Sequence, residues 1–100
     1  MGDGFVEQDP AVWWDATCRA IRDITAAHPG QVAVIAASGQ MHSSVFLDES
    51  GNVVRNAILW NDTRTTKQVA QIIEAAGGEA NLLKMVQNRA LEGFTLPKIL

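Results

Sequence analysis

The chain has 100 residues, of which 47% are hydrophobic, and this is enough for one small domain with a modest core. The formal net charge is −3 and the eight Lys and Arg residues are scattered, which argues against binding to nucleic acid or to an anionic membrane surface. Cys18 is the single cysteine, so no internal disulfide can form, as is typical of a protein in the reducing cytoplasm.

A first helix is predicted to begin at Asp9-Pro10, because Asp caps free amide groups and Pro is tolerated in the first helical turn. It is predicted to end near His28-Pro29-Gly30. Apolar residues recur between these points at helical spacing, which favours a buried stripe over a ligand platform or a reactive thiol. The predicted stripe consists of Trp14, Cys18, Ile21 and Ile24, flanked by Trp13, Thr17 and Ala20.

Residues 31–37 are apolar from Val32 onward and rich in β-branched side chains, which is typical of a buried strand in an α/β sheet. Residues 44–48 and 52–60 are two further strand-like runs, and the turn signal between them predicts a β-hairpin. One strand and one hairpin make a thin sheet, and a buried strand needs neighbours on both sides. We therefore expect further segments, or another chain, to complete the sheet.

Two more helices are predicted over residues 63–76 and 80–86, separated by Gly77-Gly78. Val69, Ile72, Ile73 and Ala76 form the apolar stripe of the longer one. Thr95 is predicted to cap a last helix. The sequence ends after barely one turn of this helix, which suggests a truncated domain. The predicted fold class is α/β, with a buried strand, a β-hairpin and flanking helices.

Polar side chains follow the two ends of this predicted sheet. Gln40 and His42 come directly after residues 31–37, where ligands bind in open α/β sheets. Both side chains can donate and accept hydrogen bonds, as a polyol requires. They can equally satisfy backbone groups at a strand end, and this alternative stays open.

Trp60, Asn61 and Asp62 follow the hairpin in the same way. An indole packs on the apolar face of a sugar, and Asn and Asp bind hydroxyl groups. Arg64 lies near enough to pair with Asp62 or to steady a phosphate. The alternative is a core tryptophan followed by a helix cap from Asn61 or Asp62.

Signals for other chemistry are absent from the sequence. There is no G-x-x-x-x-G-K-[ST], no G-x-G-x-x-G, no G-x-S-x-G and no His or Cys pair at zinc spacing. We therefore predict no phosphate-binding loop, no hydrolase nucleophile and no metal-binding residue in this chain.

Four stretches, taken in order, resemble the FGGY carbohydrate kinases over nearly the whole chain. They are Glu7-Gln8-Asp9-Pro10 with Trp13-Trp14, Gly39-Gln40-Met41-His42, Ile58-Leu59-Trp60-Asn61-Asp62 with Arg64, and Gly93-Phe94-Thr95 with Pro97-Lys98. The Gln-Met-His triplet favours the xylulokinase branch over the glycerol kinases.

The resemblance implies two actin-like (ribonuclease H-like) lobes that transfer the γ-phosphoryl group of MgATP to a sugar, D-xylulose in the xylulokinase branch. Residues 1–100 would be part of the N-terminal lobe. Met41 and His42 would contact the sugar, and Gln40, Trp60, Asn61 and Asp62 would lie in or beside the same pocket.

The resemblance also implies parts that this chain lacks: the glycine-rich phosphate turn, the catalytic Asp and the adenosine site. Asp62 is not that base, because it falls in a different motif. We expect the chain alone to bind no MgATP, to be inactive, and to self-associate through open sheet edges. A kinase of another ketose or polyol, a non-catalytic interaction module and an ordinary structural domain remain as alternatives.

Overall fold

The computed structural model describes residues 4–100. Two short strands, β1 (Glu7–Gln8) and β2 (Ala57–Ile58), pair antiparallel, with Glu7 opposite Ile58 and Gln8 opposite Ala57. The helices of this part of the chain are α1 (Pro10–Ala27), α2 (Thr66–Ala75), α3 (Glu79–Val86) and α4 (Thr95–Ile99). None of these helices is long and apolar enough to cross a membrane.

Helix α1 begins and ends where the sequence predicts. The Asp9 side chain accepts a hydrogen bond from the amide of Ala11 at 2.9 Å, and Pro10 occupies the first turn. At the other end the amide of His28 donates to the carbonyl of Ile24. Both ends follow from local chemistry, since an Asp cap and a Pro-Gly stop act within one turn of the helix.

The predicted burial of the α1 stripe is wrong for this chain. No residue of α1 is buried, and Trp14 and Ile24 are 68% and 56% exposed. Cys18 is only half-buried. The physical reason is the lack of a packing partner: within residues 4–100, Ile21 and Ile24 line only an open cavity of about 270 Å³ shared with the irregular segment around Val34.

The predicted strand over residues 31–37 is also wrong. The segment has no regular secondary structure, and Val34 and Ile35 are 83% and 72% exposed. A strand forms only when a neighbour takes up its amide and carbonyl groups. Among the described residues, the backbone hydrogen bond of this run is that from the amide of Gln31 to the carbonyl of His28.

The predicted hairpin is present in reduced form. Leu47 pairs with Val53 and Ser44 with Ile58, but the two isolated bridges are not in one register, so the arms do not form a continuous ladder. The amide of Asp48 donates to the carbonyl of Asn52 across the turn at 2.9 Å.

The core lies around the second arm of this hairpin. Ala57, Ile58 and Leu59 are buried, as is Leu82 of α3. The amide of Leu59 donates to the carbonyl of Val6 at 3.0 Å, which extends the pairing of β1 with β2. The described residues therefore form a mixed helix and strand structure whose core is small.

The two helices after the hairpin differ little from their predicted bounds. Helix α2 starts at Thr66, later than predicted, and its predicted apolar stripe is half-buried. Helix α2 packs against α3 and α4. The prediction that Thr95 caps the last helix is wrong, because Phe94 is the N-cap residue and no side chain caps α4.

Candidate functional site

Three turns of the chain meet beside the core: residues 40–43, residues 60–62 and residues 93–94, which we call the turn cluster. The amide of Trp60 donates to the hydroxyl oxygen of Ser43 at 3.1 Å. This bond joins the two ends of the hairpin, and it brings the Gln-Met-His and Trp-Asn-Asp motifs side by side although they are far apart in sequence.

His42 has an unusual backbone conformation within the turn cluster. Its φ angle is 65°, in the left-handed region that residues other than glycine rarely adopt. Its ring packs on Phe94 with the ring centroids 4.8 Å apart and the planes tilted by 38°. Residues in such conformations concentrate at binding and catalytic sites, where the surrounding structure holds them.

Gly93 allows the third turn to lie directly on the end of the hairpin. A Cβ atom at this position would lie 2.6 Å from the carbonyl oxygen of Trp60, too close for any side chain. Glycine therefore lets two backbones approach here.

Lys98 is buried beside the turn cluster, with 6% of its surface exposed. Its ammonium group donates to two backbone carbonyls, that of His42 at 2.8 Å and that of Gly93 at 2.6 Å. Burial lowers the pKa of Lys98, and the negative charge of Asp62 opposes this effect.

Asp62 is fully buried. Its carboxylate accepts hydrogen bonds from the amide of Val6 at 2.6 Å, from the amide of Arg64 at 3.0 Å and from the guanidinium of Arg64 at 2.6 Å. These donors take up the positions at which a carboxylate accepts. Burial raises the pKa of Asp62, but the hydrogen bonds from Arg64 and Val6 outweigh burial and hold the pKa below its usual value.

Arg64 connects Asp62 to the first strand. Its guanidinium also donates to Glu7 at 2.6 Å and lies over the Phe5 ring, 4.0 Å from the centroid. The hydrogen bond from Arg64 is the main reason why the pKa of Glu7 is lowered. The pairing of Arg64 with Asp62 that the sequence suggested is thus present. The alternative of a helix cap is wrong, because Thr65 is the N-cap of α2.

The other predicted sugar-site residues remain accessible. Met41 is 75% exposed and Trp60 54% exposed, and Gln40, His42 and Asn61 are exposed as well. The side-chain amide of Gln40 donates to the side-chain carbonyl of Gln8 at 3.0 Å, which ties residues 40–43 to β1. Polar and aromatic groups of this kind can bind hydroxyls and the apolar face of a sugar.

The carboxylates of this region do not fit a magnesium nucleotide. Across residues 4–100, no three His, Cys, Asp or Glu side chains are grouped so that they could hold a metal ion. Asp62 and Glu7 are bound to arginines, so neither is free to ligate Mg²⁺. These two carboxylates are therefore not assigned to magnesium binding.

Sequence reasoning assigned no role to Ser43 or to Lys98, although Lys98 stands in the last of the four family-like stretches. A signal for Lys98 exists in the sequence: it is the single charged residue of an otherwise apolar stretch, residues 96–100. Ser43 carries no such signal, since its role depends on a contact with Trp60 across the hairpin.

Comparison with known proteins identifies the class. Residues 2–100 match the N-terminal domain of the FGGY family of carbohydrate kinases, and the chain belongs to this family. It is 46% identical over 100 residues to the xylulose kinase of Bacillus subtilis, and 44% identical over 98 residues to that of Staphylococcus xylosus. The chain is covered to 97% in both cases, but it spans only about a fifth (20%) of the length of these relatives.

A solved structure shows the same relationship. The crystal structure of a xyloylose kinase from Brucella ovis matches 98% of this chain with a TM-score of 0.85 and 38% sequence identity, and the match covers 20% of that chain. The prediction of an FGGY kinase from the ordered motifs is thereby confirmed.

Proposed function

We propose that this chain forms part of the sugar-binding side of a xylulose kinase, in the actin-like N-terminal domain of an enzyme that transfers the γ-phosphoryl group of MgATP to D-xylulose. The contact between Ser43 and Trp60 is the observation that carries this proposal, because it joins the two motifs that offer groups to a sugar. The similarity to xylulose kinases supports the choice of substrate.

Each accessible residue of the turn cluster has a role in this proposal. Trp60 packs its indole against the apolar face of the sugar, and Met41 adds an apolar contact. Gln40, His42 and Asn61 exchange hydrogen bonds with hydroxyl groups. Asp62 lies beside the pocket, and its carboxylate holds the end of the hairpin through Val6 and Arg64.

The remaining parts of the reaction are proposed to come from the rest of the enzyme. MgATP would bind to other segments, because the carboxylates of Glu7 and Asp62 form ion pairs with Arg64. We propose a cytoplasmic enzyme that binds neither nucleic acid nor membrane. Self-association of the isolated chain remains a prediction, and light scattering that gives a monomer mass at low concentration would contradict it.

A coupled phosphorylation assay tests the proposal. The full-length enzyme that contains this chain is assayed with D-xylulose, L-ribulose, glycerol and gluconate. We expect a preference for D-xylulose, and a loss of about 10- to 100-fold in kcat/KM in His42→Ala, the effect of removing a hydrogen bond in a binding site. His28→Ala, at the exposed end of α1, is the matched control and should keep full activity.

Other outcomes separate the alternatives. Preference for another ketose or a polyol would keep the kinase and discard D-xylulose. No turnover of any sugar would leave a non-catalytic α/β module as the better hypothesis. For the isolated chain we expect no magnesium-dependent ATP consumption above that of its His42→Ala variant.

A further inference from the structure

We propose that Lys98 is a positioning residue of the sugar site: its ammonium group holds the backbone of His42 and fixes the distance between His42 and Trp60. This inference rests on the proposed function. Lys98 itself is buried and does not need to touch the sugar.

The partners of Lys98 are the starting point. A buried ammonium group is costly unless hydrogen bonds satisfy it, and lysine is seldom buried without a partner. Here the ammonium bonds directly to two main-chain carbonyls, those of His42 and Gly93. Its hydrogen bonds therefore constrain the backbone at two places that are 56 and 5 residues away in sequence.

The first carbonyl belongs to His42, whose left-handed backbone conformation is unfavourable for a residue other than glycine. His42 has a φ of 65°, and the direction of its carbonyl is set by this left-handed backbone. The imidazole ring is held by Phe94, which directly precedes the helix that carries Lys98. One segment, residues 93–98, thus holds both the backbone and the ring of His42.

The second carbonyl belongs to Gly93, whose backbone lies against that of Trp60. Gly93 lies so close to the carbonyl oxygen of Trp60 that a Cβ atom would be 2.6 Å from it. Lys98 is therefore connected to His42 by one hydrogen bond and to the Trp60 backbone through Gly93. A change at Lys98 should move the two sugar-site residues relative to each other, and small displacements of this kind weaken binding and catalysis.

Lys98→Met in the full-length enzyme tests this inference, because it keeps an unbranched side chain of nearly the same length and removes the ammonium group. We expect the KM for D-xylulose to rise about tenfold, the usual effect of losing a charge-assisted hydrogen bond that orders a site. The KM for MgATP should stay within about twofold of the wild-type value. Lys98→Arg can still donate to both carbonyls and should recover part of the affinity for the sugar.

Two controls complete the experiment. Lys84→Met removes an exposed ammonium group from α3 and should change neither KM. If Lys98→Met does not fold, Lys98→Gln takes its place, because it removes the charge and shortens the reach of the side-chain donor while keeping a polar group at the buried position. The same selective rise in the KM for D-xylulose is expected.

The outcomes separate this inference from the proposed function. An active wild-type enzyme with an unchanged KM for D-xylulose in Lys98→Met, or in Lys98→Gln if that variant replaces it, overturns the role of Lys98 alone. A parallel rise in both KM values also overturns it, because a general loss of structure acts on both substrates. A wild-type enzyme that phosphorylates no sugar removes the proposed function, and the inference falls with it.

Discussion

Residues 10–40 and residues 57–99 have similar apolar patterns but different surroundings. In the first region no residue is buried, although α1 carries an apolar stripe and residues 31–37 are almost wholly apolar. The second region holds the buried residues Ala57, Ile58, Leu59 and Leu82. An amphipathic pattern therefore indicates which face of a helix or strand can be buried. Whether that face is buried depends on a second structural element that packs against it.

The dimensions of the molecule reflect the same difference. The radius of gyration is 18.2 Å, whereas a compact domain of this length has about 13 Å. Residues 10–40 contact β1 through the hydrogen bonds that Gln8 accepts from Trp13 and from Gln40. Strand β1 in turn pairs with β2 of the second region.

The largest effect is expected from a change in the buried ion network of the second region. Asp62→Asn removes the fully buried charge that faces Arg64 and leaves a half-buried guanidinium less well paired. We expect the free energy of unfolding to fall by about 3 kcal/mol, as when one partner of a buried ion pair is removed. Urea denaturation of the chain, followed by circular dichroism, measures this change.

The matched control for Asp62→Asn lies in the first region. Asp23→Asn makes the same chemical change on α1, where the side chain is exposed. We expect its urea midpoint to equal that of the wild type. An equal decrease of the urea midpoint in the two variants would contradict the view that the carboxylate of the second region is buried and that of the first is exposed.

A second comparison uses two glycines. Gly93→Ala places a Cβ atom against the carbonyl oxygen of Trp60, so the backbone must move, and we expect a loss of about 2 kcal/mol. Gly39 has no atom within 4 Å of the equivalent position and does not have a positive φ. Gly39→Ala should leave the urea midpoint unchanged, and a loss as large as that of Gly93→Ala would contradict the close approach at Gly93.

Acid should weaken the ion pairs that Arg64 forms with Asp62 and Glu7. The pKa of each carboxyl is lower in the folded chain than its ordinary value of 3.8 or 4.5. Their contributions to stability are therefore complete above those ordinary values and are lost as the pH falls through the lowered pKa values. Urea midpoints measured from pH 6 down to about pH 2 (roughly two units below the ordinary values) should fall, and less steeply in Asp62→Asn. Parallel curves would contradict a role for Asp62.

Local signals explain what could be predicted from the sequence. The Asp9 cap, the stop after Ala27 and the hairpin turn at Asp48 each depend on residues within a few positions of one another. The polar strand ends were also recognisable as candidate ligands, since Gln40 and Trp60 each follow an apolar run.

Contacts between distant residues could not be predicted in this way. The bonds of Lys98 to His42 and of Val6 to Asp62 each join residues 56 positions apart. No spacing rule for a helix or a strand reaches that far. The strand predicted over residues 31–37 is wrong for the opposite reason: the local pattern is strand-forming, but no described neighbour takes up the backbone hydrogen bonds that a strand needs.

The smallest effect on stability is expected from Trp14, which the apolar pattern of α1 predicts to be in a core. Trp14 is 68% exposed, so Trp14→Ser should change the free energy of unfolding of the chain by less than about 0.5 kcal/mol. Leu82→Ala, which empties a buried site in α3, should cost about 2 kcal/mol under the same conditions. A loss of similar size in Trp14→Ser would mean that the α1 stripe is covered in solution. If that loss also grew with protein concentration, a second copy of the chain would be the cover, because stabilisation by association depends on concentration.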